Sequence, residues 1–199
     1  MTVKEFKFQY ALGVLDIESI MKIALDTTSK EILTILSTDK DKNVRTWVAD
    51  NKNTPADVLT KLSEDEDWYI RSRVATNKNT PKKVLITLSK DKDRNRDVRM
   101  YVASNPKMPV EVLIKLSKTR NRAIREGVAE NPSTPVEVLT KLSKDKERFV
   151  RFYVAENPST PNEVLKKLSK DKDYEIRGTA EKFLEIRSIK KLKYDSKRI

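Results

Sequence analysis

The sequence contains no Cys and no His, and these two absences exclude several kinds of site. A chain without thiols or imidazoles forms no disulfide, no zinc site with Cys or His ligands and no Ser-His-Asp triad. The lack of Cys is compatible with the cytoplasm, which is the location we expect.

Gly and long apolar runs are also scarce. With only 3 Gly, the composition suits a helical protein better than a sheet protein. Asp16 and Glu18 interrupt the N-terminal apolar segment, so we expect no signal peptide. No run reaches the roughly 18 apolar residues of a spanning helix, so we expect no membrane span.

Charged residues are abundant, at 36% of the 199 residues, and the formal net charge is +12. The positive excess is concentrated between residues 68 and 121, with a second excess in the C-terminal tail. Such a surface attracts acidic partners, namely nucleic acid, an anionic membrane or an acidic protein. A lysine-rich surface that only aids solubility is an equally good interpretation.

A unit of 26 residues repeats along the chain. TPADVLTKLSEDEDWYIRSRVATNKN from Thr54 and TPVEVLTKLSKDKERFVRFYVAENPS from Thr134 are variations of it. One step is two residues longer, and its surplus lies between Leu88 and Arg99, in KDKDRNRDVR. Such repetition predicts a solenoid in which each unit packs on its neighbours. The units begin at Thr28, Thr54, Thr80, Met108, Thr134 and Thr160.

The first helix of each unit is predicted from a Thr-Pro pair. Thr would be the N-cap and Pro the first helical residue, and Glu137 or Glu163 would complete a capping box. Val and Leu at spacing i, i+1 and i+4 then predict a buried stripe, as in Val58, Leu59 and Leu62.

A second, shorter helix follows in each unit. Pairs four residues apart, such as Ile70 and Val74, precede an Ala that allows close packing. An Asn, such as Asn77, is then predicted to end the helix, because Asn tolerates the left-handed conformation.

The residues VRxxVAxN followed by TPxxVLxxLSxDxD resemble the variant leucine-rich repeat family, which is similar in style to HEAT and armadillo repeats. The resemblance covers roughly residues 28–186 and implies a right-handed superhelix of alternating helices, in which the second segment is often closer to a 3₁₀-helix than to an α-helix. The family's founding type also carries a Cys-ligated iron–sulfur domain, which does not transfer to a chain without Cys. The expected fold class is all-α, a right-handed α-solenoid of about six 26-residue two-helix repeats with atypical capping ends.

The expected domain organisation has three parts. Residues 1–27 form an N-terminal capping segment, residues 28–186 the six repeats, and residues 187–199 a basic C-terminal tail. Ser29 replaces Pro in the first repeat, and Gly178 and Phe183 replace usual elements of the last. Such atypical ends stop an array from stacking further.

An Arg recurs in every unit, and we expect it to be structural. Pairing with acidic residues of the preceding turn, such as Asp41, Asp67 or Asp173, would form a ladder between units. The recurring residues are Arg45, Arg71, Arg99, Arg125, Arg151 and Arg177.

Two sets of residues are candidates for partner binding. The first set, the variable row, consists of the residues two positions after each recurring Arg. Several of them are aromatic or Arg, which are the residue types typical of binding hot spots. Packing of these aromatic rings against the next unit is an equally good explanation. The candidates in this row are Trp47, Arg73, Tyr101 and Tyr153, with Gly127 at the fifth position.

The second set, the basic strip, lies in the turns between the two helices. Its members should align along one edge, where they would follow a phosphate backbone or an acidic peptide. A tolerated loop insertion is a comparable explanation for the surplus residues. The strip comprises Arg94, Arg96, Arg120, Arg122 and Arg148.

The sequence favours a non-enzymatic scaffold that binds an acidic protein or peptide. The first alternative is a nucleic-acid-binding solenoid that uses the basic strip. The second, by analogy of fold, is a HEAT-like DNA glycosylase with Asp97 near an aromatic cleft. We expect no catalytic residue, cofactor or metal, because the sequence has no Gly-rich phosphate loop, metal-spaced cluster or paired-carboxylate motif.

Overall fold

The computed structural model describes residues 1–91 and 98–195, with side chains for residues 1–91 and 98–189. All regular structure in these ranges is α-helical, which confirms the all-α class. The helices are α1 (Val3–Ala11), α2 (Ile17–Asp26), α3 (Lys30–Leu36), α4 (Lys42–Asp50), α5 (Ala56–Leu62), α6 (Trp68–Thr76), α7 (Lys82–Leu88), α8 (Val98–Ser104), α9 (Val110–Leu116), α10 (Arg122–Glu130), α11 (Val136–Leu142), α12 (Arg148–Glu156), α13 (Asn162–Leu168) and α14 (Tyr174–Asp195).

The helices form two compact units, Met1–Lys107 and Met108–Ile199. In the first unit, α4 packs on α2 and α6, and α6 also packs on α8. In the second unit, α12 packs on α10 and α14, and α13 also packs on α14. Within each unit the second helices of successive repeats therefore form a layer, as expected of an α-solenoid.

The predicted apolar stripes form the core. Leu59, Leu85, Leu113, Leu139 and Leu165 are fully buried, and so are the Ala residues that follow the stripes of the second helices. Burying one such Leu contributes about 1.5–3 kcal/mol. In the repeat that begins at Met108 the stripe is weaker, because Val112 and Leu116 are only partly buried.

The second helices are α-helical and not 3₁₀, and in four of the repeat units they are longer than the first helices. They have 9 residues in α4, α6, α10 and α12. The first helices, such as α5 and α11, have 7. The expectation of a shorter second helix is therefore wrong.

The repeated Thr does not cap the first helix, contrary to the sequence prediction. Pro55 is the N-cap of α5, and no side chain bonds the first turn. Thr54 is fully buried and donates its hydroxyl to Val48 O at 2.5 Å, across the turn that joins the repeats. Thr134 makes the same bond to Val128 O at 2.6 Å. The capping boxes predicted at Glu137 and Glu163 do not form.

The repeated Asn is buried and joins successive repeats. Its backbone is extended, not left-handed: φ is −66° and ψ 129° at Asn77. The side-chain nitrogen of Asn77 donates to Ala49 O at 2.8 Å and to Asn51 O at 3.0 Å, both in the preceding repeat. Both carbonyls lie at the C-terminal end of α4, where helix acceptors lack intrahelical partners. Asn51 O also accepts the N–H of Thr54, so Ala49 O is the carbonyl that depends on the Asn77 side chain.

The repeated Arg does form a ladder between repeats, but its partner differs from the predicted one. Arg45 donates from Nε to Asp65 Oδ2 at 2.7 Å, in the following repeat. Its NH1 donates to Asp39 O and Lys40 O in its own turn. Asp41, predicted as the partner, instead caps α4. The same carboxylate pairing is seen for Arg71 with Asp91, Arg125 with Asp145, and Arg151 with Asp171.

The N-terminal helices α1 and α2 follow the repeat plan one unit earlier. Thr2 lies 26 residues before Thr28, and Phe6 is fully buried where the next unit has Ile32. At the other end, α14 continues from the last repeat without a break to Asp195. There Arg187 donates to Thr160 O at 2.7 Å and Pro158 O at 2.8 Å.

Candidate binding surface

The variable row lies on the second helices and is half-buried. In the first unit it comprises Trp47 on α4, Arg73 on α6 and Tyr101 on α8. In the second unit it comprises Gly127 on α10, which is buried, and Tyr153 on α12, which is half-buried.

Arg73 lies among aromatic rings in the first unit. Its Cζ is 4.9 Å from the ring centroid of Tyr69 and 5.7 Å from that of Tyr101. Both distances are within the range of cation–π attraction, which contributes about 0.5–1 kcal/mol at exposed sites and more where water is excluded. The rings therefore hold the guanidinium in place.

The charge of Arg73 is only weakly compensated. Its NH1 is 3.9 Å from Asp50 Oδ1, at the limit of an ion pair, and the Asp50 side chain is 39% exposed. Its Nε is buried without a hydrogen-bond acceptor among the described residues. We call Asp50, Tyr69, Arg73 and Tyr101 the Arg73 cluster.

In the second unit the row is surrounded by acidic residues, which the sequence reading did not anticipate. Burial raises the pKa of Tyr153, and the negative charges of Glu130, Glu126 and Glu156 raise it further. The ring of Tyr153 is edge-on to Phe152, at a centroid distance of 5.8 Å. Tyr153 is thus poorly suited to an acidic partner, unlike Arg73.

The basic strip is largely ion-paired where the structure describes it. Arg122 Nε lies 3.0 Å from Glu126 Oε1, and Arg148 Nε lies 3.2 Å from Asp173 Oδ2. Arg148 also pairs with Glu175.

Within the strip, both Arg122 and Arg148 lie over the ring of Phe149, at 5.6 and 4.8 Å from its centroid. Arg120 is exposed. Arg94 and Arg96, predicted members of the strip, and Asp97, considered for the glycosylase alternative, lie outside the described residues.

The fold is similar to a solved structure described as a leucine-rich repeat variant with a novel repetitive protein structural motif. The sequences are 27% identical and the TM-score is 0.56, with 83% of this chain covered. This chain is a helical-repeat protein, and its fold is similar to that of the leucine-rich repeat variant. It spans 65% of the length of that leucine-rich repeat variant.

Two engineered proteins of known structure also match this chain, each at 21% identity. Their TM-scores are 0.46 and 0.37; the matches cover 84% and 90% of this chain and 62% and 94% of theirs. No protein-family model and no curated protein sequence matches.

Tyr69 is the member of this surface that inspection of the row alone missed. It precedes Arg73 by four residues on α6, so the two side chains share one face of the helix. Reading the position four residues before each row member would have found it. The same reading finds Phe149, which precedes Tyr153 on α12.

Residues 1–91 and 98–195 contain no helix with the length and apolar character needed to cross a bilayer. In the same ranges, no cluster of three or more acidic side chains has an arrangement that would hold a metal ion.

Proposed function

We propose that this chain is a non-enzymatic binding scaffold and that the Arg73 cluster binds an acidic segment of a partner protein. A solenoid of the leucine-rich repeat variant type offers an extended surface on which variable side chains are presented at regular intervals. The observation that carries the proposal is the position of the Arg73 guanidinium, held between two tyrosine rings with only a 3.9 Å approach to a carboxylate.

The chemistry of the cluster favours a carboxylate ligand. A guanidinium presents parallel N–H groups that match the two oxygens of a carboxylate, and such charge-assisted bonds contribute about 1.5–3 kcal/mol. The rings of Tyr69 and Tyr101 reduce the conformational freedom that Arg73 loses on binding. Trp47 occupies the equivalent position on the neighbouring helix α4 and extends the aromatic surface.

The nucleic-acid alternative has less support. Arg122 and Arg148 already pair with carboxylates, so a phosphate would have to displace Glu126 or Asp173. The exposed ring of Phe149 between these arginines is the feature that favours this alternative, because nucleobases stack on such rings. The glycosylase alternative gains no support from the described residues.

The proposal is tested with a panel of fluorescent peptides. Peptides rich in Asp and Glu, with an aromatic residue nearby, are compared with versions in which every Asp and Glu is changed to Asn or Gln. Binding is measured by fluorescence anisotropy. We expect the acidic peptides to bind at least tenfold more tightly than the amide peptides, and Arg73→Gln to remove that preference.

Lys61→Gln is the matched control, because it removes the same charge from the exposed side of α5 in the same unit. It should leave peptide binding within twofold of the wild type. Equal binding of acidic and amide peptides, or equal losses in the two variants, would show that net charge and not the Arg73 cluster is responsible.

A further inference from the structure

The ladder carboxylates share one set of bonds. Asp65, Asp145 and Asp171 each receive Nε of the recurring Arg of the preceding repeat at 2.7 Å. Each also accepts the backbone N–H of the residue two positions later, as Asp65 Oδ1 does from Asp67 N at 3.0 Å. The carboxylate is thus oriented by its own turn and holds a guanidinium from the neighbouring repeat.

Asp39 is the first member of this series, but the chain has no Arg at the position that would pair with it. Its Oδ1 accepts the N–H of Asp41 at 2.8 Å, as in the other turns. Ser19 stands at the position of the recurring Arg, 26 residues before Arg45. Asp39 is only 8% exposed, and no Lys or Arg among the described residues forms an ion pair with it. A buried carboxylate without a counter-charge is costly to keep in a folded protein.

Tyr10 partly replaces the missing group. Its hydroxyl donates to Asp39 Oδ2, the oxygen that takes Nε in the other turns. Burial and the neighbouring carboxylate raise the pKa of Tyr10 to about 12, so the phenol stays a neutral donor. Tyr10 therefore satisfies one lone pair but supplies no positive charge. The guanidinium of Arg45 bonds the backbone oxygen of Asp39, at 2.9 Å, and its carboxylate partner is Asp65.

A cavity of about 740 Å³ adjoins Asp39 and Tyr10. Leu15, Ile17 and Ile20 form its apolar lining, and Gly13 stands where the later repeats have a ladder Asp. Its polar lining also includes Thr38, the exposed Lys40 and a second carboxylate, Asp41. Apolar walls that end at a carboxylate match the two parts of an arginine side chain, its methylene stem and its guanidinium.

We propose that Asp39 and this cavity form a binding site for a guanidinium group, supplied by an arginine of a partner protein or by a free guanidinium compound. The site takes its ligand as Asp65 takes Arg45, by paired N–H bonds to one carboxylate. The site involves no residue of the Arg73 cluster, so a negative result at one of the two sites does not affect the proposal for the other.

The test uses Nα-acetyl-arginine amide as the probe and Nα-acetyl-citrulline amide as its neutral isostere, titrated into the full chain and followed by NMR. We expect the arginine probe to shift resonances of Tyr10 and Ile20 and to bind at least tenfold more tightly than the citrulline probe. Asp39→Asn should weaken binding of the arginine probe at least tenfold. Asp145→Asn, in a turn of the other unit that already holds its arginine, should leave probe binding unchanged.

Ser19→Arg keeps the test decisive even where Asp39→Asn folds poorly. It restores the recurring Arg, so it should block the arginine probe and raise the thermal midpoint of unfolding. In combination with Asp39→Asn it should give no such increase.

An arginine-containing peptide and n-butylguanidinium distinguish the two sources of the ligand. Tighter binding of the peptide indicates a partner protein, and equal binding indicates a small compound. Equal binding of arginine and citrulline probes, or undiminished probe binding by Ser19→Arg, would overturn the proposal.

Discussion

Arg45 and Asp65, 20 residues apart in sequence, form a two-bond pair, with Nε to Oδ2 at 2.7 Å and NH2 to Oδ1 at 3.1 Å. Their side chains are 13% and 8% exposed, so the pair is largely removed from water. Because one partner comes from each of two successive repeats, the pair fixes the register of the array as well as its stability.

Removing the arginine of this pair should destabilise the fold. Arg45→Met leaves Asp65 buried without a counter-charge and leaves Asp39 O without its donor, so we expect a loss of about 3 kcal/mol. Lys40→Met, at an exposed position in the same turn, should cost less than about 0.5 kcal/mol. Urea denaturation followed by circular dichroism measures both. Similar losses in the two variants would contradict a stabilising role for the pair.

The ladder also predicts loss of stability in acid. Bonding to Arg151 lowers the pKa of Asp171 below its ordinary value of 3.8, against the opposing effect of burial. A carboxyl whose pKa is lower in the folded state stabilises the protein fully above its unfolded pKa, and this contribution is lost as the pH falls through the folded pKa.

The thermal midpoint should therefore be steady from about pH 7 to pH 5 and fall below about pH 4. Asp171→Asn should have a lower midpoint than the wild type at neutral pH, and the difference should shrink toward about pH 3. Thermal melts across this range test the expectation. A difference that stays constant with pH would mean that ionisation of Asp171 does not contribute.

The buried Asn residues should be intolerant of a change that keeps their shape. Asn77→Asp replaces the side-chain N–H₂, which bonds Ala49 O and Asn51 O, with a carboxylate oxygen that repels both carbonyls. We expect a loss of at least about 3 kcal/mol. Asn79→Asp removes bonds from an exposed side chain to Lys52 O and Thr54 O and should cost about 1 kcal/mol. Equal losses in denaturation would argue against the special position of Asn77.

The repeat and its core could be predicted because Val and Leu periodicity depends only on local helix geometry. The partners of polar side chains depend on how one repeat packs on the next, which the sequence of one repeat does not contain. Thr54 before Pro55 has the sequence of a helix cap, yet in the folded array its hydroxyl donates to Val48 O and no side chain caps α5. The ladder partner of Arg45 was missed for the same reason.

The candidate surface was predictable to a similar extent. Arg73 and Tyr153 could be identified from the sequence because they occupy the same position in their repeats. The side chains that surround each of them in the folded protein could not be identified in this way. Glu126 and Glu130 come from α10 and reach Tyr153 only because α10 packs on α12. The charge around each row member is therefore a tertiary property, and it differs between Arg73 and Tyr153.

Two glycines should respond in opposite ways to the same substitution. Gly178 lies within α14, and a Cβ placed on it would meet no atom within 4 Å. Gly178→Ala should therefore stabilise the protein by about 0.5–1 kcal/mol, because Ala loses less backbone freedom on folding than Gly. Gly13 is equally open, but its φ is +66°, in the left-handed region that side chains disfavour. Gly13→Ala should cost about 1 kcal/mol, and thermal denaturation of the two variants beside the wild type measures both signs. Stabilisation by both substitutions would mean that the turn after α1 relaxes to a different conformation, which would also alter the cavity beside Asp39.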